Sequence, residues 1–366
     1  MTLPKTFAEI DLNALSHNLR EVREKTGNKT IVAVVKADAY GHGSVKVSNH
    51  LLKNSASMLG VAFAEEAIQL REAGIKAPIL VFFENYNNTD AYFKYHLTPV
   101  IFEYKSAEII SAKAYKHNCK IPVHIKVDTG MGRVGLKAEN ALNEILKIAE
   151  IKNLQFEGLM SHFSDADISD KKFAAAQLKS FTTLIKLLKE KKMHFKFFHI
   201  ANSAAVLQFP EAHLNMVRPG IMLYGYGPGG KNNLKPVLSL KSKIIFIKNV
   251  PVGTPISYGR TFITKRKSII ATIPIGYADG YSRTLSNCGE VLIGGKRTPV
   301  VGRVCMDTIM VDITGIPDVN YNSEVVLIGS QGKDSITAQD IADKTGTIPY
   351  EVLTTIGQRV KRTYKC

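Results

Sequence analysis

The sequence lacks most of the features that mark secreted, metal-binding or membrane proteins. Its 366 residues include four cysteines, and no two of these are close enough to form a zinc or redox motif. No stretch approaches the roughly 20 apolar residues that a membrane-spanning helix needs. The N-terminal segment has no apolar core of the kind found in secretory signals. We therefore expect a cytoplasmic protein with free thiols, no metal site and no membrane association.

Acidic residues are scarce relative to basic ones. The chain has 48 lysines and arginines against 32 aspartates and glutamates, a formal net charge of +16. Such an excess can indicate a nucleic-acid-binding protein. The basic residues are spread along the whole chain, however, and no RNP, helix-turn-helix or zinc-finger pattern accompanies them. We predict a solvated basic surface and no nucleic-acid partner.

The pattern of apolar residues predicts a large α/β fold. From about residue 12 to 225, short Val/Ile-rich runs alternate with stretches of helical periodicity. The strand candidates are Ile31–Lys36, Met58–Ala62, Pro78–Phe83, Thr98–Phe102, Pro122–Asp128, Phe156–His162, Phe197–Asn202 and Val217–Tyr224. The helix candidates are Ala14–Lys25, Ala64–Ala73, Ser106–Asn118, Asn140–Glu150 and Asp170–Lys191. Eight parallel strands with helices between them predict a (β/α)8 TIM barrel.

A glycine-rich linker at residues 225–233 separates this pattern from a different one. After it, short Val/Ile-rich runs alternate with Gly, Pro and Asn, which predicts a mainly β domain of hairpins and Greek-key connections. Gly294-Gly295 is the clearest predicted hairpin turn, and the strand-like Thr6–Ile10 can add a strand to this domain. We expect a barrel domain at residues 12–230 and a β domain formed by residues 1–11 and 231–366.

Polar residues at the predicted strand ends are the candidates for chemistry, because catalytic groups of such barrels lie at the carboxyl ends of the strands. The first strand ends in Lys36, although a buried ammonium group is costly unless it is paired or neutralised. The other polar residues at these ends are Asp38, Tyr40, Lys126, Asp128, Arg133, Ser161, His162, Asn202, Ser203 and Arg218. Each alone is more often structural than catalytic, but together they predict a cationic site at one barrel mouth.

A lysine in such a site should have a lowered pKa and be available as a nucleophile. Its most common use is a Schiff base with a carbonyl, and pyridoxal 5′-phosphate is the leading candidate. The segments 202–204 and 218–221 supply hydroxyl and backbone N–H donors suited to a phosphate. Ser203 can also cap the helix that follows, which adds the helix dipole to anion binding.

Nine segments of the chain resemble the successive motifs of alanine racemase, a fold-type III pyridoxal-phosphate enzyme. They are VVKADAYGHG, KVDTGMGRVG, SHFSDAD, HIANSAA, VRPGIMLYG, ISYGRT, GYADGYSR, VVGRVCMD and IPYEVL. One segment alone, such as ANSAA, is weakly specific. All nine occur in the family's order and span the chain from the first barrel strand to Leu353, so the resemblance is specific as a set.

The resemblance implies a two-base reaction. Lys36 would hold the cofactor covalently and act as a base on one face, and Tyr258 of the partner subunit would act on the opposite face. His162 and Arg218 would lower the pKa of Tyr258, with His199 behind Arg218. Arg218 would face the pyridine nitrogen, which weakens the electron sink and favours racemisation over transamination.

The resemblance also implies the binding residues. Arg133 and the backbone N–H of Met306 from the partner subunit would bind the substrate carboxylate. Lys126 matches a family lysine that is often carbamylated and that holds this arginine. The phosphate would be held by Tyr40, Ser203, Gly220, Ile221 and Tyr350. Thr308 departs from the family's usual Gln or Glu, at a position without a named role. The expected protein is a homodimer with shared sites that interconverts L-alanine and D-alanine and supplies D-alanine for peptidoglycan.

Three alternatives remain open. A broad-specificity racemase of the same fold is disfavoured because Tyr350 and Met306 are large enough to close the pocket around a methyl-sized side chain. A fold-type III decarboxylase would need a carboxylate partner for the ring nitrogen, which Arg218 does not provide. A non-catalytic pyridoxal-phosphate carrier is a single barrel, so a β domain that contributes Tyr258 counts against it.

Overall fold

A computed structural model describes residues 5–83, 88–228 and 232–366, so the predicted linker lies partly outside the described residues. The chain forms two compact units. The barrel unit comprises Leu15–Ala39 and Ser44–Lys235, and the β unit comprises Met1–Ala14, Tyr40–Gly43 and Pro236–Cys366. The chain opens with strand β1 (Phe7–Asp11) and helix α1 (Leu12–Thr26). The short segment Tyr40–Gly43 therefore belongs with residues far from it in the sequence.

Within the described residues, the barrel unit has nine parallel strands, eight of which form the barrel. The strands are β2 (Thr30–Val34), β3 (Met58–Val61), β4 (Ile79–Val81), β5 (Thr98–Ile101), β6 (Ile121–Asp128), β7 (Leu136–Lys137), β8 (Leu154–Met160), β9 (Phe197–His199) and β10 (Met216–Val217). Their order is β10-β2-β3-β4-β5-β6-β8-β9, with β7 a side branch on β6. Between β9 and β10, the backbone N–H of Arg218 donates to Ala201 O at 3.0 Å. The barrel is nearly closed, which confirms the predicted fold class.

Helices follow most of the strands. They are α2 (Lys36–Gly41), α3 (Ser44–Lys53), α4 (Ala64–Glu72), α5 (Asp90–Lys94), α6 (Tyr104–Lys116), α7 (Ala141–Ala149), α8 (Lys172–Glu190) and α9 (Ser203–Gln208). All five predicted helices are present with small shifts of their ends, whereas α2, α3, α5 and α9 were not predicted. The apolar residues of β2, such as Ile31, Val32 and Ala33, are fully buried, as expected of a strand covered on both faces.

At two predicted strand ends, helical structure replaces the strand. Strand β2 ends at Val34, and Lys36 begins the next helical turn rather than ending the strand. The eighth predicted strand, Val217–Tyr224, stops at Val217, and Ile221–Tyr224 forms a 3₁₀ helix. Pro219 has no N–H for a strand ladder, and a short buried apolar run can be helix as readily as strand.

The β unit contains three sheets. Its later strands are β11 (Leu238–Lys243), β12 (Phe246–Val250), β13 (Pro255–Ile256), β14 (Phe262–Ile263), β15 (Ser268–Ile273), β16 (Glu290–Ile293), β17 (Lys296–Pro299), β18 (Ile309–Asp312), β19 (Glu324–Gln331), β20 (Asp334–Ile336) and β21 (Lys361–Lys365). The largest sheet has the order β17-β16-β19-β11-β1-β21, with β20 paired to β19. The smaller sheets are β12-β15-β18 and β13-β14.

Turns and helices complete the β unit. The predicted hairpin turn at Gly294-Gly295 joins β16 to β17, and both glycines have positive φ values of 58° and 74°, as a two-residue hairpin loop requires. The helices α10 (Ala338–Thr345) and α11 (Pro349–Thr354) were not predicted. The unit is therefore mainly β, with two helices near its C-terminal end.

Candidate active site

Lys36 is held by an unusual turn of backbone. Ala37, Asp38, Ala39 and Tyr40 have φ values of 51–53°, so helix α2 is one turn of left-handed helix. Such a conformation costs roughly 1–2 kcal/mol per residue that is not glycine. The carboxylate of Glu66 accepts from the N–H of Ala37 at 2.6 Å, and that of Asp38 accepts from the N–H of Ser44 at 2.7 Å. Strained turns persist where surrounding contacts determine them, and they concentrate at functional sites.

The ammonium group of Lys36 lies in a cationic environment. Burial lowers the pKa of Lys36, the guanidinium of Arg133 lowers it further, and the carboxylate of Glu66 acts in the opposite direction. Arg133 itself is exposed, with its guanidinium 5.2 Å from the centre of the Phe83 ring. A lysine with a lowered pKa has a larger fraction of nucleophilic neutral amine at neutral pH.

Arg218 forms hydrogen bonds to Ser161, His162 and His199 of the barrel site. Its side chain is buried, and Nη2 donates to Ser161 O at 2.8 Å and to Nδ1 of His162 at 3.1 Å. Nη1 donates to Nδ1 of His199 at 2.7 Å. Burial, and then Arg133, lower the pKa of Arg218 to about 9, so the guanidinium is protonated at neutral pH.

The two histidines bound to Arg218 are neutral. Burial, and then the Arg218 charge, lower the pKa of His162 and of His199 well below the ordinary value. Lys126, Arg133 and Lys36 also lower the pKa of His162, in that order. His162 therefore lies within reach of four cationic side chains, an arrangement suited to an anionic ligand.

Lys126 is the most deeply buried of these cations. Its side chain is 3% exposed, and within the described part of the chain Nζ has no hydrogen-bond partner. Burial lowers the pKa of Lys126 to about 7, and Arg218 and Arg133 contribute in the same direction. The Asp128 carboxylate raises it but is occupied by backbone N–H groups of residues 130–132. About half of the Lys126 amine is thus neutral near pH 7.

The hydroxyl group of Ser203 lies against the backbone of residues 220–222. Its Oγ accepts from the N–H of Gly220 at 2.8 Å and of Met222 at 3.3 Å. Ile221 starts the 3₁₀ helix between these donors. The prediction that Ser203 caps α9 is wrong, because Asn202 is the N-cap and its Oδ1 accepts from Ala205 N–H at 3.0 Å. The predicted phosphate-binding residues 203, 220 and 221 therefore lie together.

The remaining predicted residues belong to the β unit. The rings of Tyr40 and Tyr350 have centroids 5.9 Å apart at an angle of 49°. Burial raises the pKa of Tyr40 above its ordinary value. Tyr258 lies in a 3₁₀ turn and is 71% exposed, and Met306 is 52% exposed. Two large side chains are thus presented to solvent by this chain alone.

Three polar residues that the sequence analysis missed contribute to the barrel site. Glu66 also accepts from the N–H of Ala62 at 2.6 Å, and it sits at the third position of α4, where a capping carboxylate is common. His124 precedes Lys126 by two residues on β6, so alternation places both on one face. Nδ1 of His124 lies 2.8 Å from Nε2 of His199, and Glu157 on β8 lies beyond it. The alternation of side chains along β6, which places His124 on the same face as Lys126, was the sequence signal that could have indicated His124.

Metal and membrane features are absent from the described parts of the chain. No group of three or more histidine, cysteine, aspartate or glutamate side chains there could hold a metal ion. None of the described helices combines the length and apolar character required to cross a membrane.

Family models, similar sequences and similar solved structures all indicate the same family. Residues 10–228 match the family model for the alanine racemase N-terminal domain, and residues 237–364 match that for the C-terminal domain. Alanine racemase of Thermodesulfovibrio yellowstonii is 49% identical over 361 residues, covering 98% of this chain and 97% of that protein. Alanine racemase of Clostridium difficile superposes with a TM-score of 0.95 at 38% identity, covering 100% of this chain and 97% of that one.

A third relative was solved with a cofactor. Alanine racemase from Bartonella henselae, with covalently bound pyridoxal phosphate, superposes with a TM-score of 0.88 at 30% identity. The match covers 99% of this chain and 100% of that one.

Proposed function

This chain belongs to the alanine racemase family and is an isomerase, and on that premise we propose that it interconverts L-alanine and D-alanine by a two-base mechanism with Lys36 and Tyr258. The observation that carries the proposal is the protonated Arg218 guanidinium, which is hydrogen-bonded to two neutral histidines. One of them, His162, lies within electrostatic reach of Lys36. The proposed cofactor is pyridoxal 5′-phosphate.

The residues of the barrel site fit this cofactor. Lys36 has the lowered pKa that a covalent attachment through an amine needs, and four cations surround His162 where an anionic group would be stabilised. Five residues would hold the phosphate, namely Tyr40, Ser203, Gly220, Ile221 and Tyr350. When bound, pyridoxal 5′-phosphate supplies an electron-withdrawing ring that acidifies the α-hydrogen of an attached amino acid.

Lys36 would move the α-proton on one face. Because burial and Arg133 lower its pKa, the amine has an increased neutral fraction that can accept a proton. The left-handed turn and the Glu66 hydrogen bond fix the backbone from which the side chain extends. A base that is held in place needs little reorganisation at the moment of proton transfer.

Tyr258 would move the proton on the opposite face, from the partner subunit of a homodimer. A phenol with an ordinary pKa of about 10 is a weak base at neutral pH, so it needs donors close by. His162 and Arg218 would supply them. The exposure of Tyr258 and Met306 on the single chain supports a role for both in a partner's site.

Substrate binding and reaction type would depend on arginines. Arg133 and the backbone N–H of the partner's Met306 would bind the substrate carboxylate. Arg218 would donate to the ring nitrogen without protonating it, since a guanidinium with a pKa of about 9 is still a far weaker acid than a pyridinium. An unprotonated ring withdraws fewer electrons, which favours racemisation over transamination. We further propose that the D-alanine is made in the cytoplasm for peptidoglycan.

Circular dichroism of L-alanine solutions tests the activity directly. The purified chain with pyridoxal 5′-phosphate should bring L-alanine and D-alanine to an equal mixture from either side. Parallel assays with L-serine separate an alanine racemase from a broad-specificity racemase, since the latter would turn over both at similar rates. No conversion of either amino acid would contradict the proposed function.

Borohydride reduction tests the attachment site. Reduction should fix the cofactor on Lys36, and mass spectrometry of the digested protein should find it there. Lys126 is the internal comparison, because its pKa of about 7 also makes it a reactive amine. An adduct on Lys126, or on any lysine other than Lys36, would contradict the assignment.

A further inference from the structure

A line of hydrogen-bonding side chains continues beyond Arg218 within the barrel unit. Nε2 of His199 lies 2.8 Å from Nδ1 of His124, and Nε2 of His124 lies 3.9 Å from Oε2 of Glu157. Both histidines are fully buried, whereas the Glu157 side chain is 22% exposed. Three strands thus place the two histidines and the Glu157 carboxylate in one line. The contact between His124 and Glu157 is longer than a hydrogen bond, and within the described residues Nε2 of His124 has no hydrogen-bond partner.

The direction of the two hydrogen bonds from Arg218 to His199 and from His199 to His124 follows from the Arg218 end. Arg218 can only donate, so Nδ1 of His199 must accept, and the single proton of neutral His199 is on Nε2. That Nε2–H donates to Nδ1 of His124, which places the proton of neutral His124 on its own Nε2. Nε2 of His124 is the atom that faces the Glu157 carboxylate.

The protonation states of the two histidines and of Glu157 are consistent with this direction of the hydrogen bonds. Burial lowers the pKa of His124, as it does that of His199, so both rings are neutral at neutral pH. The His124 side chain lowers the pKa of Glu157, which keeps the carboxylate ionised. Lys196, whose Nζ lies 3.9 Å from Oε1 of Glu157, is a cation beside it.

Gly158, the residue after Glu157, leaves space for the His124 ring. Gly158 is the register partner of His124 in the pairing of β6 with β8. A Cβ at residue 158 would lie 2.3 Å from Nδ1 of His124, closer than real Cβ atoms approach a neighbour. Glycine at this position therefore permits the His124 ring to reach His199.

We propose that Glu157 and His124 are positioning residues for Arg218. Arg218 fixes the tautomer of His199, and His199 fixes that of His124. The Glu157 carboxylate faces the Nε2–H that results on His124, and its negative charge favours this arrangement. Nη2 of Arg218 donates to Nδ1 of His162, so His162 carries its proton on Nε2 as well. The catalytic consequence of this line rests on the proposed racemase function, whereas the tautomers do not.

Nitrogen NMR of the histidine rings tests the tautomers. The holoenzyme would be labelled with ¹⁵N-histidine, and each ring assigned by the loss of its signal in a single-site variant. The expected result is that His124, His162 and His199 are neutral and carry the proton on Nε2. A proton on Nδ1 of His124 or His199 in the natural chain would overturn the proposal.

Two substitutions of Glu157 separate an acceptor role from a packing role. Glu157→Leu removes the carboxylate at similar size. The Nε2–H of His124 should then lose its charged neighbour, so its ¹⁵N chemical shift should change and kcat should fall roughly 10-fold, with KM changed by less than about twofold. Glu157→Gln retains an acceptor oxygen and should recover most of the lost activity together with the natural spectrum. Identical spectra and kcat for the two variants would overturn the proposal.

Two control variants match Glu157 closely. Lys196→Met removes a charged neighbour of Glu157 and should leave the tautomers and kcat unchanged. Glu9→Leu removes a lysine-paired carboxylate that is also 22% exposed but lies in the β unit, and it should likewise change neither. If Glu157→Leu fails to fold, the spectra of the natural chain and of Glu157→Gln still decide the tautomers.

The two proposals fail in distinguishable ways. Absence of alanine racemisation by the natural chain, with the expected tautomers, would contradict the proposed function only. Racemisation with the proton of His199 on Nδ1 would overturn the positioning role of Glu157 and His124 and leave the proposed function intact.

Discussion

The Glu66 carboxylate accepts a hydrogen bond from the backbone N–H of Ala37, with 2.6 Å between Oε1 and N. Its other oxygen accepts from the N–H of Ala62 at 2.6 Å. One side chain on α4 thereby ties the residue next to Lys36 to the end of β3. This arrangement supports a strained turn from outside, since all four residues Ala37 to Tyr40 have positive φ.

Replacing Glu66 with alanine should loosen the Lys36 turn. Loss of these charge-assisted hydrogen bonds should lower the free energy of unfolding by about 2 kcal/mol. Because Glu66 raises the pKa of Lys36, its removal should also lower that pKa further. Urea denaturation and the pH dependence of lysine modification at Lys36 measure the two effects. Glu65→Ala, at the exposed neighbouring position, should change neither, and equal effects of both variants would contradict the role of Glu66.

Lys126 should make the stability of the cofactor-free chain depend on pH. Its pKa is lowered from 10.5 to about 7, so between these values the unfolded chain binds more protons than the folded one. Stability therefore rises with pH across this window, and the burial penalty is fully present below about pH 7. The shift corresponds to at most about 5 kcal/mol.

Lys126→Met removes the cost of burying a charged amine. The variant should be more stable than the natural chain at pH 6, and the difference should shrink as the pH rises toward 10. Chemical denaturation at several pH values measures it. Lys137→Met, which changes an exposed lysine, is the control and should show no such trend. A Lys126→Met advantage that does not vary with pH would argue against a neutralised amine.

Arg218→Glu should change the reaction that the site favours. A carboxylate can keep a ring nitrogen protonated, and a protonated ring is the stronger electron sink. Racemisation should slow by on the order of 100-fold, and the share of transamination should rise. The measurement is the ratio of keto acid to inverted alanine formed per unit time, which does not depend on the amount of folded protein. Arg218→Lys is the control that keeps the positive charge, and an unchanged ratio in Arg218→Glu would remove Arg218 as the cause of reaction type.

Mixed dimers test whether Lys36 and Tyr258 act from different subunits. Lys36→Ala and Tyr258→Phe homodimers should both be inactive, because racemisation needs a base on one face and an acid on the other. After refolding together, about half of the dimers should pair unlike subunits, each with one intact site, so activity should return to roughly a quarter of the natural value. Mixing Lys36→Ala with Lys36→Arg creates no intact site and is the control. Zero activity despite demonstrated subunit exchange would contradict the shared site.

The barrel was predictable because its signal is local and repeated. Eight buried strands alternate with helical periods, and each strand needs only its own neighbours in sequence to be recognised. The candidate residues His162 and Arg218 follow from the same pattern, because parallel strands bring their carboxyl ends together. His199 was indicated only by the resemblance to the family. The Lys36 turn had no such signal. Ala37, Ala39 and Tyr40 are not residues that favour positive φ, and hydrogen bonds from Glu66 and Ser44, outside the turn, support it.

Contacts between residues far apart in the sequence could not be predicted, because no local pattern indicates them. The pairing of His124 with His199 depends on the sheet register and on space beside Gly158, and neither is encoded near His124 in the sequence. The segment Tyr40–Gly43 joins the β unit through contacts with residues more distant still, such as the hydrogen bond from Arg362 Nε to Gly41 O at 2.9 Å. Arrangements of this kind exist only once the whole chain is folded.

The position of β1 has a consequence for biosynthesis. This strand lies between β11 and β21, so its hydrogen-bonding partners are the segments Leu238–Lys243 and Lys361–Lys365. At the usual 5–20 residues per second of translation, the first partner leaves the ribosome on the order of tens of seconds after β1 does. During that interval Phe7, Ala8 and Ile10, which are nearly or fully buried in the folded chain, have no sheet to cover them. Nascent chains should therefore be clients of chaperones that bind short apolar strands close to the N-terminus.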